Sequence, residues 1–271
     1  MAFLELRTPR TAEQTAAAMV QVFNALPGSP PGVLGRWRSA PVFYWEIASV
    51  EQTIRFRVAA PAAYRDYLTS QLAAAYPEIL VDEASSRAWS ALASDGWFSV
   101  HRFELACANH FPLQTFEAFG TSEGDLLSAL LSALSRLREG DAALLQLAVA
   151  KARENWKDAA LQTLESSPRT PSLADNFRSL VRQKLAARSF RFSLNLVIQA
   201  PDEYRLNALE RQLVQTLNVF QSPLNGLQGA RIWWPKRHRT RVLDRRIMPG
   251  QQILSSHELA TLFHLPKHRL A

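Results

Sequence analysis

A single cysteine and the shortness of the apolar runs are the first features of this 271-residue sequence. Because Cys107 is the only cysteine, no intramolecular disulfide can form, which fits a reducing compartment. No apolar run approaches the ~20 residues that cross a bilayer. The opening MAFLELRTPR is too short and too charged for a signal peptide. We therefore expect a cytoplasmic protein, which partners could hold at the inner face of a membrane.

Motifs for catalysis and for metal binding are also missing. No segment matches G-x-x-x-x-G-K-[ST], the phosphate-binding loop of nucleotide hydrolases, and there is no G-x-S-x-G nucleophile elbow. HELATLFH (257–264) has Thr261 where the zinc-protease helix HExxH needs its second histidine. Cys107 and His110 form a Cys-x-x-His pair, but no nearby residues complete a ligand set. The sequence therefore predicts a protein that is not an enzyme and that uses neither a metal nor another cofactor.

Most of the chain lacks an excess of either charge, since the first 230 residues contain 22 basic and 22 acidic residues. The formal net charge of +7 lies in the last 41 residues, where nine Lys and Arg accompany two acids. This distribution excludes a basic surface over the whole body and predicts a basic tail.

The segment WWPKRHRTRVLDRR (233–246) is chemically the most distinctive. Its cations could neutralise phosphates, while Trp233 and Trp234 stack on bases or pack into the body. We expect both tryptophans to be packed at the end of the last strand. A basic linker against an acidic neighbouring domain, or a solvated surface loop, would have the same composition. Six residues are candidate nucleic-acid contacts: Lys236, Arg237, Arg239, Arg241, Arg245 and Arg246.

Strand and helix patterns alternate over residues 1–85 in the order β-α-β-β-α-β, which is typical of a ferredoxin-like sandwich. The predicted strands are rich in β-branched and aromatic residues, and the predicted helices carry apolar residues at helical spacing. The strands are predicted at FLELR (3–7), VFYWEIA (42–48), QTIRFRVAA (52–60) and EILVDE (78–83), with helices starting at Pro9 and Pro61.

The same order recurs over residues 90–234, with two polar helical segments inserted at 155–187. The peptide APAAYR (60–65) also resembles APDEYR (200–205), and each lies at a predicted strand–helix junction. The match indicates a duplication, although strand–proline–helix junctions can look alike by chance. Strands are predicted at 97–106, 141–152, 191–200 and 230–234, with helices at 125–137 and 202–220.

We therefore predict an α+β chain of two tandem ferredoxin-like (βαββαβ) sandwiches, the second with an inserted helical hairpin. The first unit covers residues 1–85 and the second covers 90–234. Residues 235–271 are predicted as a basic C-terminal tail, consisting of a linker and the start of a following domain. In ILSSHELATLFHLP (253–266), the serine pair and Glu258 before an apolar run indicate a helix N-terminus.

Two stretches carry a family resemblance: DLLSALLSALSRLREGDAALLQLAVAKA (125–152) and ILSSHELATLFHLP (253–266). Together with the element order, they resemble the N-terminal region of the bacterial ATPases of conjugative transfer and type IV secretion, which belong with the HerA- and FtsK-like DNA pumps. In that family such a region precedes a P-loop ATPase domain, and the ILSS-type segment is the hinge into it. The P-loop is missing here, so the resemblance implies docking or assembly and not ATP hydrolysis.

The leading hypothesis is a non-catalytic N-terminal assembly or docking module of a conjugative DNA-transfer or type IV secretion ATPase, acting through protein–protein contacts. Its expected partners are the ATPase domain or the secretion-channel proteins, and a homo-oligomer is a further option. The alternative is a nucleic-acid-binding module, with DNA as the partner, that uses the basic tail at 233–246.

Overall fold

Nine strands pair in one sheet within the part of the chain that the structure describes. The computed structural model describes residues 1–9, 16–29, 40–85, 89–94, 96–119, 125–166 and 173–266. The strands are β1 (Ala2–Arg7), β2 (Phe43–Val50), β3 (Thr53–Ala60), β4 (Leu80–Glu83), β5 (Trp97–Leu105), β6 (Ala142–Lys151), β7 (Ser189–Ala200), β8 (Leu227–Ala230) and β9 (Ile253–Ser255).

Helices connect these strands. None of the described helices is long and apolar enough to cross a bilayer. The inserted segment at 155–187 contains two helices, as predicted. The α-helices are α1 (Ala16–Ala25), α2 (Arg65–Ala75), α3 (Ser128–Ser135), α4 (Trp156–Ser166), α5 (Leu173–Ala186), α6 (Glu203–Thr216), α7 (Pro235–Leu243) and α8 (Ser256–Leu262).

The sheet is antiparallel throughout, with strand order β4-β1-β3-β2-β6-β7-β5-β8 and β9 paired to one end of β7. Strands β1 to β4 form one half of the sheet and strands β5 to β8 the other. The halves meet where β2 pairs with β6, in a register that places Glu46 opposite Gln146. The β2–β3 connection is a two-residue turn at Glu51 and Gln52, both with positive φ. The β6–β7 connection contains α4 and α5. The α+β class is confirmed, as one open antiparallel sheet with helices.

One face of the sheet is covered by helices α1, α2, α3, α6 and α8, and it holds the main apolar core. Alternation along β2 turns Phe43, Trp45 and Ile47 to this face, where they are fully buried. Phe263, just after α8, packs against the Trp45 ring with the centroids 5.2 Å apart. Side chains from both halves and from α8 therefore share a single core.

The opposite face has a smaller core over the β2–β6 junction. Ala48 of β2 and Leu144 of β6 are buried there beneath Trp89 and Val242. Trp89 precedes a short 3-10 helix (Ser90–Ala93), and Val242 belongs to α7. The middle of the sheet is thus covered on both faces.

The predicted C-terminal tail takes part in this packing, and its described residues are not a free tail. We call residues 235–265 the C-terminal segment. Its helix α7 covers the β2–β6 junction on one face, while β9 pairs with β7 and α8 packs against α1 on the other. The predicted helix N-terminus is confirmed, because Ser255 and Glu258 form a capping box. Residues 267–271 lie outside the described residues.

The last strand of the second half differs from its prediction at 230–234. The strand is Leu227–Ala230, and residues 231–234 lie outside the sheet. Pro235 starts α7, so the chain must leave the sheet edge early enough to cross onto the face.

Candidate functional site

A row of polar side chains crosses the sheet on the face that α7 covers. Each residue is the register partner of the next, so all six point to the same side. The polar row consists of Glu5 on β1, Arg57 on β3, Glu46 on β2, Gln146 on β6, Asn195 on β7 and Arg102 on β5.

Glu46 is the centre of this row and is 1% exposed. Its Oε1 accepts hydrogen bonds from Arg245 Nε and Gln146 Nε2, both at 2.9 Å. Its Oε2 accepts from Arg245 Nη2 at 2.9 Å and from Trp89 Nε1 at 2.6 Å. A buried carboxylate needs such donors and a counter-charge, and Arg245 supplies both in a bidentate pair.

Two further contacts attach α7 to the row. Gln146 Nε2 donates to the Val242 carbonyl at 2.8 Å, and His238 Nε2 lies 2.8 Å from Asn195 Oδ1. Burial, followed by the charges of Arg102 and Arg241, lowers the pKa of His238. Val242 is the fully buried apolar side chain of α7. The helix is therefore held largely by polar contacts to the sheet.

The outer side of this region forms a surface that we call the aromatic–basic face. Trp233 is 67% exposed and Trp234 is 70% exposed. The Arg231 guanidinium lies 3.7 Å from the centroid of the Trp233 ring, a cation–π stack. Asp244 is the one acid of the span 231–246. The face consists of Arg231, Trp233, Trp234, Lys236, Arg237, Arg239, Arg241 and Arg246.

The six candidate nucleic-acid contacts differ in their exposure to solvent. Arg239 is half-buried, with its guanidinium 3.9 Å from the centroid of the Phe98 ring. Arg245 is buried and binds Glu46, so it lies inside the protein. Arg241 Nη2 donates to the backbone carbonyl of Arg246 at 3.3 Å, and the Arg246 guanidinium lies 3.7 Å from the Asp244 carboxylate. The four exposed cations of the six are Lys236, Arg237, Arg241 and Arg246.

The expectation that Trp233 and Trp234 are packed is wrong. The strand ends at Ala230, so both indoles lie beyond the sheet on the short connection to α7. The structure therefore places two large apolar rings in solvent beside a group of cations.

Sequence reasoning missed the polar row. Its three central members each stand in a run of apolar residues: Glu46 in FYWEIA, Gln146 in LLQLAV and Asn195 in SLNLV. A polar side chain in a buried strand needs a hydrogen-bond partner. These three residues were therefore a signal that another element, here the C-terminal segment, packs on this face of the sheet.

A second buried ion pair lies between α5 and α8. Lys184 Nζ donates to Glu258 Oε1 at 2.9 Å and to the Phe111 carbonyl at 3.1 Å. Burial lowers the pKa of Lys184, against the opposing effect of Glu258. The pair borders a cleft of about 90 Å³, well below the ~300 Å³ of small ligand pockets.

His264 and Cys107 belong to the two incomplete metal-binding motifs of the sequence. His264 contacts the Ala260 carbonyl and Asp125 Oδ1, each at 2.8 Å. Cys107 is exposed. Among the residues that the structure describes, no three metal-ligating side chains converge.

No family model and no curated protein matches this chain. Its function is therefore inferred from the geometry of these sites.

Proposed function

We propose that this chain is a non-catalytic docking module of a conjugative DNA-transfer or type IV secretion ATPase, and that the aromatic–basic face is its binding surface. The observation that carries the proposal is the exposure of Trp233 and Trp234, 67% and 70%, beside the arginines of α7. Trp and Arg are the residues most enriched at the energetic centres of interfaces. Large exposed apolar side chains that lie side by side are typical of interaction surfaces.

The same proposal interprets each half of the sheet as one ferredoxin-like unit. The strand orders β4-β1-β3-β2 and β8-β5-β7-β6 correspond element by element, including the helices after the first and third strands. Residues 1–85 and 90–234 would then be duplicated units fused edge to edge. The C-terminal segment would fix them in one orientation, as a rigid support for the binding surface.

The test is a pull-down with the motor domain of a conjugative ATPase and with cytoplasmic secretion-channel proteins. Removal of both indoles by Trp233→Ala and Trp234→Ala should weaken capture at least about ten-fold. Tyr204→Ala is the matched control, because this ring is 85% exposed on α6 at the other face of the sheet. Absence of capture by every candidate, or equal capture by the double variant, would contradict protein docking.

Direct nucleic-acid binding by the same face is the second candidate. It is favoured by the charge of the face, since Asp244 is the one acid among the cations of 231–246. Phosphate contacts release counterions, so we expect micromolar or weaker affinity for DNA that falls steeply with salt.

A charge-matched pair of triple variants tests this second candidate. The first triple, Arg237→Ala with Arg239→Ala and Arg241→Ala, should abolish binding at low salt. The second triple removes three exposed cations on the helix-covered side and should bind like the wild type. If both triples bind alike, the face is not the contact surface. The control residues are Arg136, Arg138 and Arg211.

A further inference from the structure

Trp233 is in contact with a cation and yet is largely exposed. The Arg231 guanidinium stacks on one side at 3.7 Å from the ring centroid, and the side chain is still 67% exposed. Trp234, the next residue, is 70% exposed. The fold thus presents two flat aromatic surfaces, one of them held in place by a cation.

We infer that the aromatic–basic face binds single-stranded nucleic acid in preference to duplex. This inference rests on the nucleic-acid candidate above and names its ligand class. Unpaired bases stack on exposed aromatic side chains whatever their sequence, and each stack increases affinity about 5- to 140-fold. In a duplex the bases are already stacked on one another, so only the phosphates would be available to this face.

The cations are arranged to follow a strand whose bases lie on the indoles. Lys236 and Arg237 come directly after Trp234, and Arg241 lies one helical turn beyond Arg237, about 6 Å along the axis. Arg246 follows just beyond the end of α7, with its Nε 3.7 Å from the Asp244 carboxylate. A strand stacked at the start of α7 would run its phosphates along this helix.

The alternative occupant is an acidic protein segment, which would satisfy the same cations. Such a segment would need apolar side chains as well as carboxylates to cover both indoles, whereas each nucleotide of a single strand supplies a flat ring and a phosphate together. The exposed rings therefore favour the single strand, and an acidic peptide becomes one outcome of the test.

The test measures binding of the full chain at low salt by anisotropy of labelled probes. The probes are a dT oligonucleotide, a hairpin duplex with the same number of phosphates, heparin and a poly-glutamate peptide. We expect the dT oligonucleotide to bind at least about 5-fold more tightly than the other three. Trp233→Ala and Trp234→Ala should each weaken dT binding about 5-fold or more, while phenylalanine at either position restores part of it. Tyr204→Ala should have no effect.

The outcomes distinguish a preference for single strands from nucleic-acid binding in general. Equal binding of dT, duplex and heparin, or tryptophan variants within two-fold of the wild type, would overturn single-strand preference and leave phosphate binding in place. Tightest binding of poly-glutamate would overturn it in favour of protein docking. If none of the probes binds at low salt, nucleic-acid binding itself is wrong.

Discussion

Glu46→Gln is the sharpest test of the buried network, because it removes charge without changing shape. The glutamine amide NH2 would face donors that now bind a carboxylate oxygen, and Arg245 would stay buried without a counter-charge. Breaking one partner of a buried ion pair costs about 3–5 kcal/mol in the free energy of unfolding. For a chain of this size that corresponds to a fall in Tm of about 6–20 °C.

The assay is guanidinium unfolding followed by circular dichroism, with thermal scans of the same variants. Asp82→Asn makes the same chemical change in a solvent-exposed pair with Arg7, where the Asp82 side chain is 50% and the Arg7 side chain 61% exposed, and should lower stability far less. The double variant Glu46→Leu with Arg245→Met should be more stable than either single one, since it leaves no unpaired charge. If Glu46→Gln costs no more than Asp82→Asn, the network does not hold the C-terminal segment to the sheet.

The pKa of His238 is lowered from 6.5 by burial and nearby arginines, so the unfolded chain binds the proton more readily and stability falls as pH drops below about 6.5. His238→Gln should flatten that slope in unfolding curves between pH 7 and 5, and equal slopes would contradict the reasoning. Gly140 has φ +84°, so Gly140→Ala should lower unfolding stability by ~1–2 kcal/mol, whereas Gly229→Ala, in open space, should not lower it. Glu258→Gln should lower the thermal midpoint as Glu46→Gln does, because it leaves Lys184 buried without its partner; an unchanged midpoint would show that this pair is not needed.

The strands and helices could be predicted because their patterns are local. Alternation in FLELR and the apolar runs of 141–152 and 191–200 locate β1, β6 and β7 within two residues of their observed bounds. The pairing of β2 with β6 could not be predicted in this way, since the pattern of apolar residues indicates which face of a strand is buried but not which strand lies beside it. One signal was present in the sequence: FYWEIASV and AALLQLAVAK are apolar along nearly their whole length, which is unusual for strands at a sheet edge.

The position of the C-terminal segment could not be predicted from the sequence for a related reason. Helix α7 buries only Val242 completely, so it has no apolar stripe that would predict a packed helix. Its place depends on Arg245 meeting Glu46, 199 residues earlier. The exposure of Trp233 and Trp234 could not be predicted either. It depends on β8 ending at Ala230, and that end depends on the start of α7 at Pro235.

Because Arg245 is the counter-charge of Glu46, the buried ion pair of the first half of the protein cannot form until residues near the end of the sequence have been synthesised. Gln146 on β6 is made 100 residues after Glu46, and Arg245, the cation for the buried carboxylate, only 199 residues after it. An apolar strand with an unpaired edge readily joins another copy of itself. A nascent or truncated chain that stops after β4 should therefore self-associate through β2, and stable expression should require the segment through residue 265.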